Sequence, residues 1–300
     1  MGKNKTMGTL LVIVSAVTFG SLPLFSNLAY GEGIPVSTLL FLRFFSASII
    51  LWTYIFIKNI NFKISKHAFI HLALISIVGY TASSSGLFYS YKYISGSLAT
   101  MIIYCYPIIV VVHEMINSKN ADFKKLFCLL TTSFGLILIV CTGPVKANLI
   151  GVILAFISAL GYAFFCIGLE EKETQSINSI VISAYVMTFC SIVYLLQCSI
   201  TKHALFAPNY ESLFYAVIIG IVCSIVPTIT LYEGVKKIGV GNSVILSSFE
   251  PVFVCILGVI FLKEIITFNM VIGGLLIVSS LILLQTPITI HSFRKSRNYN

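Results

Sequence analysis

Three hundred residues that are 58% hydrophobic and 10% charged, with a mean hydropathy of +1.00, are not a soluble composition. A soluble domain carries about 25% charged residues, and this balance excludes a disordered chain, a coiled coil and a secreted disulfide scaffold. The net charge of +9 comes from Lys and Arg residues that punctuate apolar runs instead of clustering, which argues against nucleic acid as a partner and for basic loops beside a lipid bilayer.

A membrane helix needs about 20 mostly apolar residues to cross a core of about 30 Å. Ten such runs follow one another, at 8–30, 36–57, 68–91, 97–117, 124–143, 150–169, 178–200, 211–234, 242–262 and 268–287. Turn residues or charges bound them, among them Gly31-Glu32-Gly33, Lys58 to Lys66, Lys119 to Lys125, Gly143-Pro144, Lys236-Lys237 and Lys263-Glu264. The runs are apolar on every face, so a β-barrel, whose strands alternate, is excluded and the backbone must satisfy itself as helix. The first run, behind Lys3 and Lys5, is too long for the core of a secretory leader. With the N-terminus inside, fourteen Lys and Arg fall in cytoplasmic segments and four (Lys92, Lys146, Lys202, Lys263) in outer loops. That bias predicts both termini in the cytoplasm.

Polar residues inside the runs demand a reason, since an ionisable side chain at mid-membrane costs at least about 2.5–3.5 kcal/mol. In chain order, the first is Arg43 in the second run. Tyr80, Ser84 and Tyr91 then share a face of the third, within a Ser-rich stretch that equally suits close helix packing. Tyr106 and Pro107 stand in the fourth, and Pro227 and Thr228 in the eighth. In the ninth, Ser243, Ser247 and Glu250 follow at i, i+4 and i+7, so an unbroken helix would carry them as one stripe. By helix rise, Arg43 and Glu250 lie within about 6 Å of each other in depth. They either pair as a structural lock or line a common cavity. Pro107, Pro227 and Pro251 are expected to kink their helices, each freeing a backbone carbonyl.

The chain also repeats itself. At an offset of 143, Gly8, Leu11, Ser15 and Ala16 match Gly151, Leu154, Ser158 and Ala159, and Phe19 meets Tyr162. At an offset of 144, Leu87, Lys92, Ile94 and Pro107 match Leu231, Lys236, Ile238 and Pro251. Two copies of five spans, 1–143 and 144–300, must enter the membrane from opposite sides. The expected fold is therefore an all-α integral membrane protein, ten transmembrane helices as two inverted-topology repeats of five. In such folds the substrate site lies near the midplane between the halves.

The organisation resembles the EamA-type family of the drug/metabolite transporter superfamily over roughly residues 7–287. The match is best from Ser248-Phe249-Glu250-Pro251 through Leu262-Lys263-Glu264 to Gly273-Gly274, and Arg43 stands where family members often carry Arg. The first repeat departs from the pattern, with Tyr106 opposite Glu250 and Asn120 opposite Glu264. The resemblance implies a secondary transporter in the cell membrane that exports a small polar metabolite such as an amino acid. Arg43 and Glu250 would meet its carboxylate and ammonium, and Glu250 is the candidate carrier of a coupling proton. The alternatives are a membrane-embedded enzyme acting on lipid head groups and a small-molecule sensor. Against an enzyme, the chain has no Gly-rich phosphate loop and no GxSxG, and His113-Glu114 lacks the second His of a zinc-protease motif. The eight cysteines lie in apolar runs without CxxC or metal spacing, so no metal and no cofactor is expected.

Overall fold

The computed structural model describes residues 2–94, 99, 102–118, 123–140, 148–262 and 268–285, and among these every regular element is a helix. In chain order they are α1 (Gly2–Gly20), α2 (Leu22–Gly31), α3 (Val36–Ile57), α4 (Lys66–Leu74), α5 (Thr81–Ser90), α6 (Tyr106–Ser118), α7 (Phe123–Val140), α8 (Leu149–Gly168), α9 (Lys172–Ser176), α10 (Ser179–Thr201), α11 (Tyr210–Gly220), α12 (Val226–Ile238), α13 (Val240–Ser247), α14 (Glu250–Leu262) and α15 (Phe268–Gln285). Among the described residues, six stretches are long and apolar enough to cross a membrane: Asn4–Gly31, Val36–Ile57, Lys66–Ser90, Leu149–Gly168, Ser179–Thr201 and Tyr210–Ile238. Shorter apolar helices occur at Tyr106–Asn117, Val240–Val254 and Val271–Ser280. The expected boundaries at Gly143-Pro144 and Lys263-Glu264, and Asn120, lie outside the described residues.

The helix ends follow from capping chemistry. Ser65, Asn148, Asn178 and Asn209 each accept a hydrogen bond from a first-turn amide, which satisfies a donor that the helix leaves free. Gly239, at φ +80, turns the chain between α12 and α13 where a side chain would be strained.

Inside the bundle the helices are interrupted in a regular way. Leu22, Tyr106, Val226 and Glu250 each begin a new α-helical segment, and in each the next residue is proline. Proline suits a first turn because it has no N–H to donate and its φ is already helical. Between α4 and α5, and between α11 and α12, the chain rewinds as π-helix over Ile75–Tyr80 and Ile221–Ile225. At each, a hydroxyl reaches the carbonyl five residues back: Thr81 Oγ1 to Ser76 O at 2.9 Å, and Ser224 Oγ to Ile219 O at 3.1 Å.

Packing brings α3 against α10, α7 against α15, α1 against α12, and α5 against α8. The same contacts occur twice at the spacing of the sequence repeat. Ser15 Oγ donates to Pro227 O at 2.9 Å, and Ser158 Oγ donates to Ser83 O at 2.8 Å. A methyl on Gly8 would come within 2.7 Å of Ile238, and one on Gly151 within 2.7 Å of Ile94. Glycine at these two points lets the backbones approach.

Candidate functional site

The interruptions at Leu22-Pro23, Tyr80, Tyr106 and Glu250 border one cavity of about 80 Å³ inside the bundle, room for a handful of ordered waters. Of the polar residues selected from the sequence, Arg43, Tyr80, Ser84, Tyr91, Tyr106 and Glu250 line it. Two more tyrosines, Tyr104 and Tyr162, complete the wall. The surface is mainly aromatic, with one guanidinium and one carboxyl. Such sites hold an apolar body by area and orient it with a few polar groups.

Arg43 is only 2% exposed. Its Nε donates to Ser224 Oγ at 2.6 Å and its Nη2 to the Cys223 carbonyl at 3.2 Å. An α-helical carbonyl at Cys223 would accept from residue 227, and Pro227 has no N–H. The proline thus frees the acceptor that Arg43 takes. The guanidinium also lies over the rings of Phe44 and Phe88, at 4.8 and 5.7 Å.

Glu250 opens α14 immediately after the break at Ser248-Phe249, and it lines the cavity with Tyr104. No Arg43 nitrogen lies within 4.0 Å of the Glu250 carboxyl; the two Arg43 hydrogen bonds run to Ser224 and the Cys223 carbonyl instead. The direct ion pair weighed from the sequence is therefore not formed, although both groups face the same space.

The serine stripe also departs from expectation. Ser243 Oγ bonds Gly239 O at 2.8 Å and Ser247 Oγ bonds Ser243 O at 3.0 Å, so both hydroxyls return to their own helix. The break ahead of Pro251 ends the periodicity that would have joined them to Glu250. Ser247 instead stands behind the wall, its hydroxyl against Tyr106 and its carbonyl, which has Pro251 four residues on, 3.5 Å from the Tyr104 hydroxyl. Sequence reasoning passed over Tyr104, Tyr162, Phe88 and Pro23 as wall residues. The repeat carried one signal, since Tyr162 is the counterpart of Phe19 and both line the cavity.

The two faces of the bundle differ. Toward Pro35 and Lys92 a vestibule of about 420 Å³ shares Phe88 and Tyr91 with the central cavity. The opposite face carries a set of polar contacts between elements, beside a pocket of about 530 Å³ lined by Ser65, Glu173 and Ile177. Lys125 Nζ meets Glu114 Oε1 at 2.6 Å, Ser179 Oγ donates to Glu233 Oε1 at 2.6 Å, and the Val240 amide donates to Glu170 Oε1 at 3.1 Å. Lys236 Nζ donates to the Ile177 carbonyl. Among the described residues no group of three or more His, Cys, Asp or Glu is placed to hold a metal.

The model of the EamA-like transporter family matches this sequence twice, over residues 6–141 and 149–286. The chain belongs to the EamA-like transporter family. It is 25% identical over 197 residues to the uncharacterized transporter YcbK of Bacillus subtilis strain 168, and 23% identical over 188 residues to an uncharacterized transporter of Archaeoglobus fulgidus. The alignments span 62% of this chain in both cases, and 62% and 66% of those relatives' own lengths. A protein of known crystal structure, 16% identical, superposes with a TM-score of 0.79 over 92% of this chain and 97% of its own. At that identity the likeness is one of fold. Family membership accords with the six membrane-length helices found among the described residues.

Proposed function

We propose that the protein is a secondary transporter of a small zwitterionic metabolite such as an amino acid, working as an exporter in the cell membrane. The observation that carries this reading is the central cavity, where Arg43 and Glu250 face one space without neutralising each other. A carboxylate placed beside Arg43 and an ammonium beside Glu250 would each find a partner, so neither charge crosses the low-dielectric interior unpaired. The tyrosine wall supplies apolar area with hydroxyls for orientation. Glu250 is also the residue we assign to a coupling proton. The reading includes ten spans as inverted halves 1–143 and 144–300, with both termini cytoplasmic.

Counterflow in proteoliposomes with a panel of labelled amino acids tests it. The wild type should exchange at least one of them, and Glu250→Gln should abolish that exchange while remaining folded and membrane-inserted. Consumption of the label in place of exchange would indicate an enzyme. Full exchange by Glu250→Gln would remove Glu250 from the mechanism.

A further inference from the structure

Four helical segments inside the bundle start with proline as their second residue, at Pro23, Pro107, Pro227 and Pro251. Proline has no N–H, so it cannot donate to the carbonyl four residues earlier. Those carbonyls belong to Phe19, Ile103, Cys223 and Ser247. Side chains from elsewhere in the bundle take two of them. Arg43 Nη2 donates to the Cys223 carbonyl at 3.2 Å, and the Tyr104 hydroxyl to the Ser247 carbonyl at 3.5 Å. The other two residues, Phe19 and Ile103, belong to the wall of the central cavity.

The chain at Phe19 runs directly against Glu250. A methyl on Gly20, the last residue of α1, would lie 3.3 Å from the Glu250 carbonyl and 3.5 Å from its Cγ. Ile103 is tied to the same break through its neighbour Tyr104, whose hydroxyl reaches Ser247, three residues before Glu250. The Glu250 end of the cavity is thus built from acceptors: a carboxylate and two carbonyls to which no helical proline can donate. A cation suits such a set, and the number of acceptors selects among cations. A primary ammonium carries three N–H donors, one for each group. Every methyl added to the nitrogen removes one donor.

We propose, resting on the transport reading above, that the Phe19 and Ile103 carbonyls complete the Glu250 subsite and that this subsite takes a primary ammonium. Pro23 is then a specificity-determining residue, because it keeps the Phe19 carbonyl available. Substrates with a secondary or quaternary amine are disfavoured.

Purified full-length protein in detergent would be titrated with methylammonium, dimethylammonium and tetramethylammonium chloride at constant ionic strength, with thermal stabilisation giving the apparent affinity. These probes carry three, two and no N–H donors. The wild type should bind methylammonium about tenfold more tightly than dimethylammonium, the factor of one hydrogen bond to a charged group. Tetramethylammonium should not stabilise it. Glu250→Gln should weaken methylammonium at least as much. Pro23→Ala and Pro23→Val both return an N–H that competes for the Phe19 carbonyl, so each should weaken methylammonium and close its gap to dimethylammonium. Pro107→Ala makes the same comparison at the Ile103 carbonyl, and decides the matter if the Pro23 variants do not fold. A gap that persists in these variants would overturn the proposal, since probe size alone would then explain the preference. So would equal binding of the two probes by the wild type. Stabilisation by sodium chloride as strong as by methylammonium would make this a metal-cation site and would overturn it too. Failure of amino-acid counterflow with the methylammonium pattern intact would refute the amino-acid reading and leave the ammonium subsite standing. Amino-acid exchange without any preference for methylammonium would do the reverse.

Discussion

Arg43 is held by a chain of local consequences that begins at Pro227. The proline cannot donate, the Cys223 carbonyl is released, and the guanidinium supplies the missing hydrogen. The π-turn places Ser224 beside it as a second acceptor, at 2.6 Å. A buried cation that loses such a partner is left under-satisfied, so Ser224→Ala should destabilise the protein by about 1.5–3 kcal/mol, read as a lower melting temperature in detergent. Pro227→Ala acts differently. It returns an N–H to the helix, which competes with Arg43 for Cys223, so the melting temperature should hold or rise while amino-acid counterflow falls. Equal loss of both would show that the proline is needed only for folding. The ionisable residues were legible in the sequence because a charge in an apolar run stands out. Their partners were not, because the acceptor of Arg43 is a backbone carbonyl 180 residues away that no side-chain pattern reports.

Among the elements, α5 and α8 approach so closely at Gly86 that no β-carbon fits there. A methyl on Gly86 would lie 2.5 Å from the Leu154 carbonyl and 2.9 Å from the Ser158 amide, both backbone atoms that cannot rotate away. Gly86→Ala should therefore push the helices apart and cost about 1–3 kcal/mol. Gly274→Ala, which meets nothing within 4 Å, is the matched control. A second contact between elements is electrostatic. Ser65 Oγ caps α4 by accepting from the Ala68 amide at 3.0 Å and donates to Glu173 Oε2 of α9 at 2.7 Å. That bond, with His67 and His71 nearby, holds the Glu173 carboxyl below its ordinary range. A depressed carboxylate stabilises the fold above its unfolded pKa, and the contribution is lost as the pH falls through the folded one. The exposed clasp should thus be intact at neutral pH and released in acid. Ser65→Ala should lower the melting temperature at pH 7 by more than it does in acid. The helices themselves were readable from hydropathy, and the prolines marked where they restart. The error at Ser243 and Ser247 came from counting 3.6 residues per turn through a break that Pro251 already signalled. Glu173 and Ser65 escaped notice because a contact between a helix cap and a short helix far along the chain leaves no periodicity.

At the scale of the molecule, the loops sort themselves in a way that bears on topology. Asn209 Nδ2 donates to Glu32 Oε2 at 2.9 Å, and Ser37 Oγ lies 2.6 Å from His203 Nδ1. The segment after the first span therefore sits with the segment after the seventh. Ser65 bonds Glu173 at 2.7 Å, and the Tyr185 hydroxyl bonds the Phe62 carbonyl at 3.2 Å. The segment after the second span therefore sits with the one after the sixth. If the halves were parallel copies, the loops after the first and sixth spans would share a face. On the proposed ten-span reading, each half's first loop pairs with the other half's second loop, the arrangement expected of inverted copies. On the proposed topology, the excess of Lys on the Ser65–Glu173 side would put that face in the cytoplasm. With the native cysteines replaced, single cysteines at Gly33 and Gln175 should react with an impermeant maleimide from opposite sides of the membrane, Gly33 from outside and Gln175 only in inverted vesicles. The two positions are near-equivalents, at an offset of 142. Labelling of both from the same side would make the repeats parallel. It would also remove the premise that the two halves can exchange roles around Arg43 and Glu250.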